Sequence, residues 1–269
     1  MIFKTTCAIL IVMLLSNTLL AQDFQGVATY KSYRKIDLKV NDDQNTEMQK
    51  QIQEQLQKQM QREYTLTFTK NESMYKENEK LAAPAPSSSG FQITVSSSTD
   101  IMYKNMKENR YVNESEIFGK QFLIKDSLIN RPWKLVNETK SIGAYTCYKA
   151  TFSEEIETKK LVGNTMETVK EERITTAWYT PQIPVNNGPD DFHGLPGLIL
   201  EINDGQLTLI CSKIIMNPKE LIEIKEPKKG KVVTQEKFDE IMDKKTDEMM
   251  ERMQSRKKDG SNVIISIGG

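Results

Sequence analysis

The sequence predicts an α+β protein in which a curved, half-barrel-like antiparallel β-sheet of eight or more strands carries an N-terminal and a C-terminal helix on one face. Short runs of alternating apolar and polar residues follow one another, separated by turn residues rather than by helical stretches. Two other segments repeat apolar residues at helical spacing, so each needs a surface to cover its apolar side. An Asp-Gly pair also joins two apolar runs, which is typical of a β-hairpin.

Composition excludes several classes of protein. The 37 Lys and Arg residues balance 37 Asp and Glu residues, so overall charge favours neither nucleic acid nor acidic lipid as a partner. One His and three Cys are too few for multi-His zinc sites, four-Cys zinc ribbons, iron–sulfur clusters or a disulfide-dense scaffold. The motifs of serine hydrolases, phosphate loops, dinucleotide sites and zinc proteases are missing from the sequence. No cofactor is therefore predicted.

Residues 1–22 are typical of a secretory signal peptide. Lys4 precedes an apolar run at 8–20, and Ala21 supplies a small residue near the expected cleavage point. The run is shorter than the about 20 apolar residues of a membrane helix, and no later segment approaches that length. We therefore expect an exported protein, periplasmic or secreted, whose residues 23–269 form a single domain.

The position of Cys7 bears on anchoring. It lies before the apolar run, whereas a lipoprotein needs its Cys at the cleavage point. We therefore expect no lipid anchor and no transmembrane span after cleavage. Retention of the uncleaved segment as a membrane anchor is the alternative.

The first half of the domain combines strands, a helix and a long loop. Residues 24–33 are predicted as the opening strand. Across 47–64 apolar residues recur every four positions, which favours the N-terminal helix. At 64–69 the period changes to two, as in a half-buried strand. The Ser- and Pro-rich stretch at about 82–100 is predicted to be a mobile loop.

Further short strands follow in the second half of the chain. They are expected at 101–103, 111–112, 122–124, 133–136, 145–152, 174–180, 198–202 and 207–215. A two-residue Asp-Gly turn should place Ile202 opposite Leu207, with Leu200 opposite Leu209 and Leu198 opposite Cys211 on one apolar face. Glu201 should then face Thr208 on the other side of the hairpin.

The C-terminal part is predicted to be mainly helical. Residues 234–254 carry one apolar stripe, and Thr234 can serve as the N-cap. The preceding lysine-rich stretch, which includes Lys231, is predicted to be a solvated loop because nearby glutamates offset its charge. The last apolar stretch, at 263–267, could return as an edge strand.

One segment resembles a known family. The run Gly194-Leu195-Pro196-Gly197-Leu198-Ile199 reproduces the motif that names the GLPGLI family of exported bacterial proteins, and residues 143–150 resemble its Tyr-x-Cys-x-Lys-Ala block. The signal-like start, the early tyrosine-bearing strand, the Gly-Pro before the motif and the helix-forming tail are also similar to it. The resemblance extends over essentially the whole mature chain. It implies export and, because the family has no established activity, no catalytic residue.

The motif also has a physical interpretation. Pro196 pushes Leu195 towards extended geometry, and Gly194 and Gly197 permit backbone angles closed to other residues. The segment is therefore predicted to be a bend that feeds the apolar hairpin. Alternatively, the two glycines let a ligand or partner approach the backbone, in which case these four residues would contact it.

Neighbouring polar and aromatic residues are further candidates. Asp190, Asp191 and His193 could form a metal or acid–base site, although a polar loop needs such residues in any case. Trp178 and Tyr179 could stack on a ligand, although core packing is the commoner role for aromatic residues in an alternating strand.

Two cysteines remain after removal of the signal peptide. Alternation places Cys147 and Cys211 on opposite faces, which argues against a disulfide unless a bulge inverts one strand.

Three functions are compatible with these observations. The first is a non-enzymatic exported binding or accessory protein that holds an apolar ligand or an envelope protein between sheet and helices, favoured by the apolar faces and the shortage of catalytic residues. The second is a hydrolase or metal-dependent enzyme that uses Asp190, Asp191 and His193. The third is a structural component of the envelope.

Overall fold

The computed structural model describes residues 24–35, 57, 60–79, 99–117, 119–162, 165–220 and 222–257. The predicted signal peptide, most of the predicted mobile loop and the predicted edge strand at 263–267 lie outside these residues. So does most of the predicted N-terminal helix. Of its described residues, Gln57 and Met60 are helical, whereas Glu63 and Tyr64 already belong to a strand.

A large antiparallel sheet dominates the described part of the chain. Its twelve strands are β1 (Gln25–Arg34), β2 (Glu63–Thr69), β3 (Glu72–Glu77), β4 (Ile101–Asn105), β5 (Arg110–Ile117), β6 (Lys120–Ser127), β7 (Lys134–Ile142), β8 (Tyr145–Val162), β9 (Thr165–Thr180), β10 (Leu198–Asn203), β11 (Leu207–Met216) and β12 (Lys231–Val233). They lie in the order β12-β6-β5-β4-β3-β2-β1-β11-β10-β9-β8-β7, and only β12 pairs with its neighbour in parallel. The sheet is open, with β12 and β7 at its edges. The predicted antiparallel sheet is confirmed, and its half-barrel curvature stays a prediction.

Ten of these strands coincide with predicted ones, whereas β3 and β12 were missed. In β3, the buried positions are Ser73 and Tyr75, separated by the apolar Met74, so this run of six shows no apolar–polar alternation. Lys231, the first of the three residues of β12, belongs to the stretch that was predicted to be a solvated basic loop. They pair in parallel with Phe122, Leu123 and Ile124 of β6. Both strands are defined by their neighbours rather than by their own apolar pattern.

The register predicted for the β10–β11 hairpin was wrong by two residues. Ile202 lies opposite Leu209 rather than Leu207, and Glu201 lies opposite Ile210 rather than Thr208. The reason is the side chain of Asp204, which accepts hydrogen bonds from the amides of residues 206 and 207 and so closes a longer loop. A shift of two preserves the side-chain alternation. Leu198, Leu200 and Ile202 are all buried, but they do not share the predicted single face, because a bulge between Ile199 and Glu201 reverses the alternation along β10.

One face of the sheet, here called the inner face, carries the residues that matter below. Adjacent register pairs place Leu66, Tyr75, Met102, Asn113 and Ile124 in one row across β2 to β6. A second row on the same face contains Phe68, Ser73, Lys104, Tyr111 and Asp126. Most of these side chains are buried, so the inner face is covered by other parts of the chain.

The C-terminal helix α1 (Gln235–Lys257) covers the β5–β6 end of the inner face and confirms the predicted helix. Thr234 caps it, since its hydroxyl accepts a hydrogen bond from the amide of Lys237 at 3.3 Å. The Phe238 ring packs edge-on against Phe122, with centroids 5.6 Å apart. Among the described residues, no helix has both the length and the apolar character that crossing a membrane requires.

The hairpin of β8 and β9 extends beyond the rest of the sheet. The pairing of β7 with β8 ends at Thr151, and the pairing of β9 with β10 begins at Thr176. Between these points, residues 152–162 of β8 pair only with residues 165–175 of β9. Within the described ranges of the chain, this part is a two-stranded ribbon with no third strand beside it.

Candidate functional site

The loop at 181–197, here called the 181–197 loop, connects β9 to β10 and is fastened to the inner face by a buried lysine. Lys104 is fully buried, and its Nζ donates to the carbonyl oxygens of Gly188 at 2.9 Å, Asp190 at 2.5 Å and Phe192 at 3.3 Å. Burial lowers the pKa of Lys104 to about 7, although the nearby Asp191 and Asp190 oppose this shift. An ammonium group has three donors, so the three carbonyls match its charged form.

A second attachment comes from the segment before β7. The Arg131 guanidinium donates to the Asp191 carbonyl at 3.0 Å and to its carboxylate at 2.5 Å, and lies 4.6 Å from the centroid of the Phe192 ring. The indole of Trp133 donates to the carbonyl oxygen of His193 at 2.8 Å. The Asp191 carboxylate is therefore engaged in an ion pair that fastens the loop.

The residues of the Gly-Leu-Pro-Gly motif shape the end of this loop. Gly197 has φ +154°, and a Cβ there would lie 2.2 Å from the carbonyl oxygen of Thr180. Gly194 has φ +99° and lies beside the Trp133 indole. Leu195 is buried in the core, whereas Pro196 is exposed. The close approach at Gly197 is thus to the chain itself, and contact of these residues with a ligand or partner stays a prediction.

Trp178 and Tyr179 occupy opposite faces of β9. Tyr179 is buried among Leu195 and Ile199. Trp178 is half-buried, and the Lys140 ammonium lies 4.5 Å from its ring centroid. Both aromatic rings therefore have partners within the protein.

His193 is buried, and its Nε2 has no hydrogen-bond partner among the described residues. Burial lowers the pKa of His193 to about 4, and the charges of Lys104 and Arg131 add to the effect. The imidazole is consequently neutral at pH 7.

The two cysteines after the signal-like segment are free and buried. Their free state agrees with the argument against a disulfide, and Cys147 and Cys211 both belong to one core cluster. Burial raises the pKa of Cys147 to about 11 and that of Cys211 to about 12. Neither thiol is therefore activated as a nucleophile at neutral pH.

Asp190, one of the predicted polar residues, lines a cavity. This Asp190 pocket has a volume of about 270 Å³ and lies on the inner face beside the 181–197 loop. Its lining residues are Ser32, Arg34, Met60, Arg62, Tyr64, Tyr75, Lys76, Glu77, Asp100, Met102, Asn113, Asp190, Leu207 and Leu209. The rings of Tyr64 and Tyr75 stack with centroids 5.0 Å apart and planes 11° from parallel, which provides a flat aromatic wall.

The pocket lining carries both cationic donors, namely Arg34, Arg62 and Lys76, and carboxylate acceptors. Asn113 Oδ1 is buried without a hydrogen-bond partner among the described residues. Burial raises the pKa of Asp190 to about 6, and the Asp191 charge acts in the same direction while Lys104 and Arg131 oppose it. Burial, followed by the charges of Glu77 and Asp190, raises the pKa of Tyr64 to about 12. A ligand with a donor group would match the unpartnered Asn113 Oδ1.

The predicted polar triad does not converge on one point. Asp190 lines the pocket, Asp191 is paired with Arg131, and His193 is buried with an unpartnered Nε2. Within the described part of the chain, no group of three His, Cys, Asp or Glu side chains is placed to hold a metal ion. The structure thus separates residues that are adjacent in sequence.

Sequence reasoning found Asp190 but missed the other pocket residues. Asn113, Tyr64 and Tyr75 lie on three strands, so sequence spacing does not bring them together. The sequence offered one signal for the pocket, the polar Asn113 within a strand-like run. Polar residues are equally common in strands at the protein surface, so this signal does not identify a pocket.

The fold and the pocket define an open antiparallel β-sheet protein with a small polar cavity under a fastened loop. Residues 133–201, about a quarter of the chain, match a family described as a protein of unknown function (Porph_ging). No curated protein matches. PNGF-II, crystallised in space group C2, is 13% identical with a TM-score of 0.49 over 81% of this chain and 32% of its own. PNGF-II crystallised in space group P2₁ is 16% identical, with a TM-score of 0.44 over 74% of this chain and 29% of its own. This chain therefore spans about a third of the length of PNGF-II.

Proposed function

We propose that this protein is an exported, non-enzymatic binding protein of the bacterial envelope, and that its ligand occupies the Asp190 pocket. Export is supported by the signal-like residues 1–22 and by the resemblance to the GLPGLI family. The observation that carries the binding role is Asn113 Oδ1, a buried acceptor in the pocket wall with no partner among the described residues. Buried polar atoms are nearly always hydrogen-bonded, so a ligand donor would complete this one.

The pocket also limits the size and chemistry of the ligand. Its volume of about 270 Å³ is close to the lower end of small-molecule sites, which begin at about 300 Å³. The Asp190 carboxylate lines the pocket, and the Tyr64–Tyr75 pair offers an apolar surface. The ligand is therefore a small molecule with a donor group for Asn113 Oδ1 and an apolar face for the Tyr64–Tyr75 pair.

Mass spectrometry of small molecules that co-purify with the protein from its native host tests this proposal. Wild-type protein should carry a compound that Asp190→Asn and Asn113→Leu proteins lose. Asp243→Asn, an exposed change on α1 outside the pocket, should retain it. Equal recovery of the compound from all four proteins, or no compound with the wild type, would contradict binding in the pocket.

Export is tested separately by the N-terminal sequence of the protein recovered outside the cytoplasm. Cleavage after Ala21 or Gln22 is expected, since the small residue follows the apolar run. Full-length protein in the cytoplasm would contradict export without affecting the binding result.

A second candidate, an acid–base enzyme, is favoured by one observation. Asp190 has a pKa raised to about 6 by burial, and carboxyl groups with such values serve as general acids or bases. If turnover of any substrate is found, Asp190→Asn should abolish it. In that case His193→Gln should leave the pH profile unchanged, because the Nε2 of His193 is buried.

A further inference from the structure

A second cavity of about 660 Å³ lies between α1 and the β5–β6 end of the inner face. The first half of the helix packs closely, because Phe238 and Ile241 join the buried cluster around Phe122 and Val233. Farther along the helix, Met249 remains 39% exposed. The helix and the sheet therefore enclose a groove that is open to solvent, here called the α1 groove.

The floor of the α1 groove is apolar. It is formed by Ile117 and Phe122 from the sheet and by Ile241 and Met249 from the helix. Ile117 pairs with Lys120 at the end of β5 and the start of β6, so the groove reaches the turn between these strands. An apolar chain lying on this floor would remove these side chains from water.

The rim of the groove is basic. Four lysines line it, namely Lys120, Lys231, Lys244 and Lys245, against a single acidic residue, Glu248. Glu248 pairs with Lys245 at 2.6 Å, and the other three lysine ammonium groups are exposed. This local excess of positive charge stands out in a chain whose overall charge is zero. The groove thus combines an apolar floor with cationic groups at its edge.

We infer that the α1 groove binds a single-chain anionic amphiphile, a long-chain carboxylate. Its tail would lie on the floor, and its carboxylate would lie near Lys120, Lys231 and Lys244. The volume of about 660 Å³ is within the range of small-molecule sites, about 300–1,000 Å³, which fits one ligand rather than a membrane surface. This site is separate from the Asp190 pocket, because the two cavities share no lining residue.

The test uses the mature chain and a fluorescent fatty acid, 11-(dansylamino)undecanoic acid, with palmitate as the competitor. The probe should bind, palmitate should displace it, and hexadecyltrimethylammonium should displace it at least 10-fold less effectively because its head group is cationic. Reversing the rim charge with Lys120→Glu and Lys244→Glu should weaken binding at least 10-fold. Lys107→Glu with Lys219→Glu, an equal charge change at exposed positions outside the groove, should not.

A floor variant distinguishes the groove from simple surface attraction. Met249→Gln should also weaken binding, and Asp190→Asn should leave it unchanged because it alters the other pocket. Equal competition by the cationic amphiphile, or no effect of the rim change, would overturn the proposal. Binding to anionic phospholipid vesicles without binding to the monomeric probe would overturn it as well. Circular dichroism of each exposed-site variant checks that the fold is retained.

Discussion

Replacement of Lys104 by methionine should release the 181–197 loop from the sheet. Methionine has a similar length and no donor, so the carbonyls of Gly188, Asp190 and Phe192 would lose their shared partner. A hydrogen bond to a charged group contributes about 1.5–3 kcal/mol, and removal of one member of a buried charged cluster costs about 3–5 kcal/mol. Relief of the buried charge offsets part of this loss. We therefore expect a decrease of about 3 kcal/mol in the free energy of unfolding.

Urea unfolding at pH 6 measures this decrease. Acidic pH favours the ammonium form of Lys104, which matches the three carbonyl acceptors. Tryptophan fluorescence is a suitable probe, since Trp133 donates a hydrogen bond to the same loop. For a domain of this size, 3 kcal/mol corresponds to a fall in Tm of about 6–12 °C.

The control is Lys107→Met. It makes the same chemical change at an exposed position in the turn between β4 and β5. It should alter the free energy of unfolding by less than about 0.5 kcal/mol. A loss as small as this for Lys104→Met would refute the reasoning, because it would mean that the three carbonyl contacts do not hold the loop.

Three further predictions concern other parts of the fold. Gly197→Ala should destabilise the protein in thermal melts far more than Gly143→Ala, because only the former drives a Cβ to 2.2 Å from the carbonyl oxygen of Thr180, and equal effects would contradict this. Proton NMR of the single histidine should give a pKa near 4 for His193, whereas a pKa near 6.5 would show that the ring is solvated. The free energy of unfolding should fall as pH decreases from about 6.5 to 4, because in this range the unfolded chain binds a proton that the folded protein does not. Replacing residues 155–172 by a short turn should leave Tm within about 2 °C, since among the described strands that ribbon pairs only with itself, whereas a larger loss would mean that it supports the sheet.

The strands and the C-terminal helix could be predicted from sequence because alternation and helical spacing are local properties. The same reasoning could not predict the register of the β10–β11 hairpin. A two-residue and a longer loop keep the same alternation, and the choice between them depends on the hydrogen bonds of the Asp204 side chain. Similarly, β12 has only three residues and exists because β6 offers a free edge.

The candidate site was less predictable than the fold. Asp190 was a candidate because polar residues cluster in the 181–197 loop, but adjacency in sequence suggested that Asp191 and His193 would share its role. The structure gives each a different environment: a cavity wall, an ion pair and a buried site. Lys104, 86 residues away from Asp190, sets this arrangement, and no local pattern relates the two.

A crystal structure of the protein purified from its native host would test the binding role most directly. We expect non-protein density in the Asp190 pocket, with a donor atom within hydrogen-bond distance of Asn113 Oδ1 and contact with the Tyr64–Tyr75 pair. A pocket filled by the protein's own side chains, with Asn113 Oδ1 bonded to one of them, would contradict the proposal.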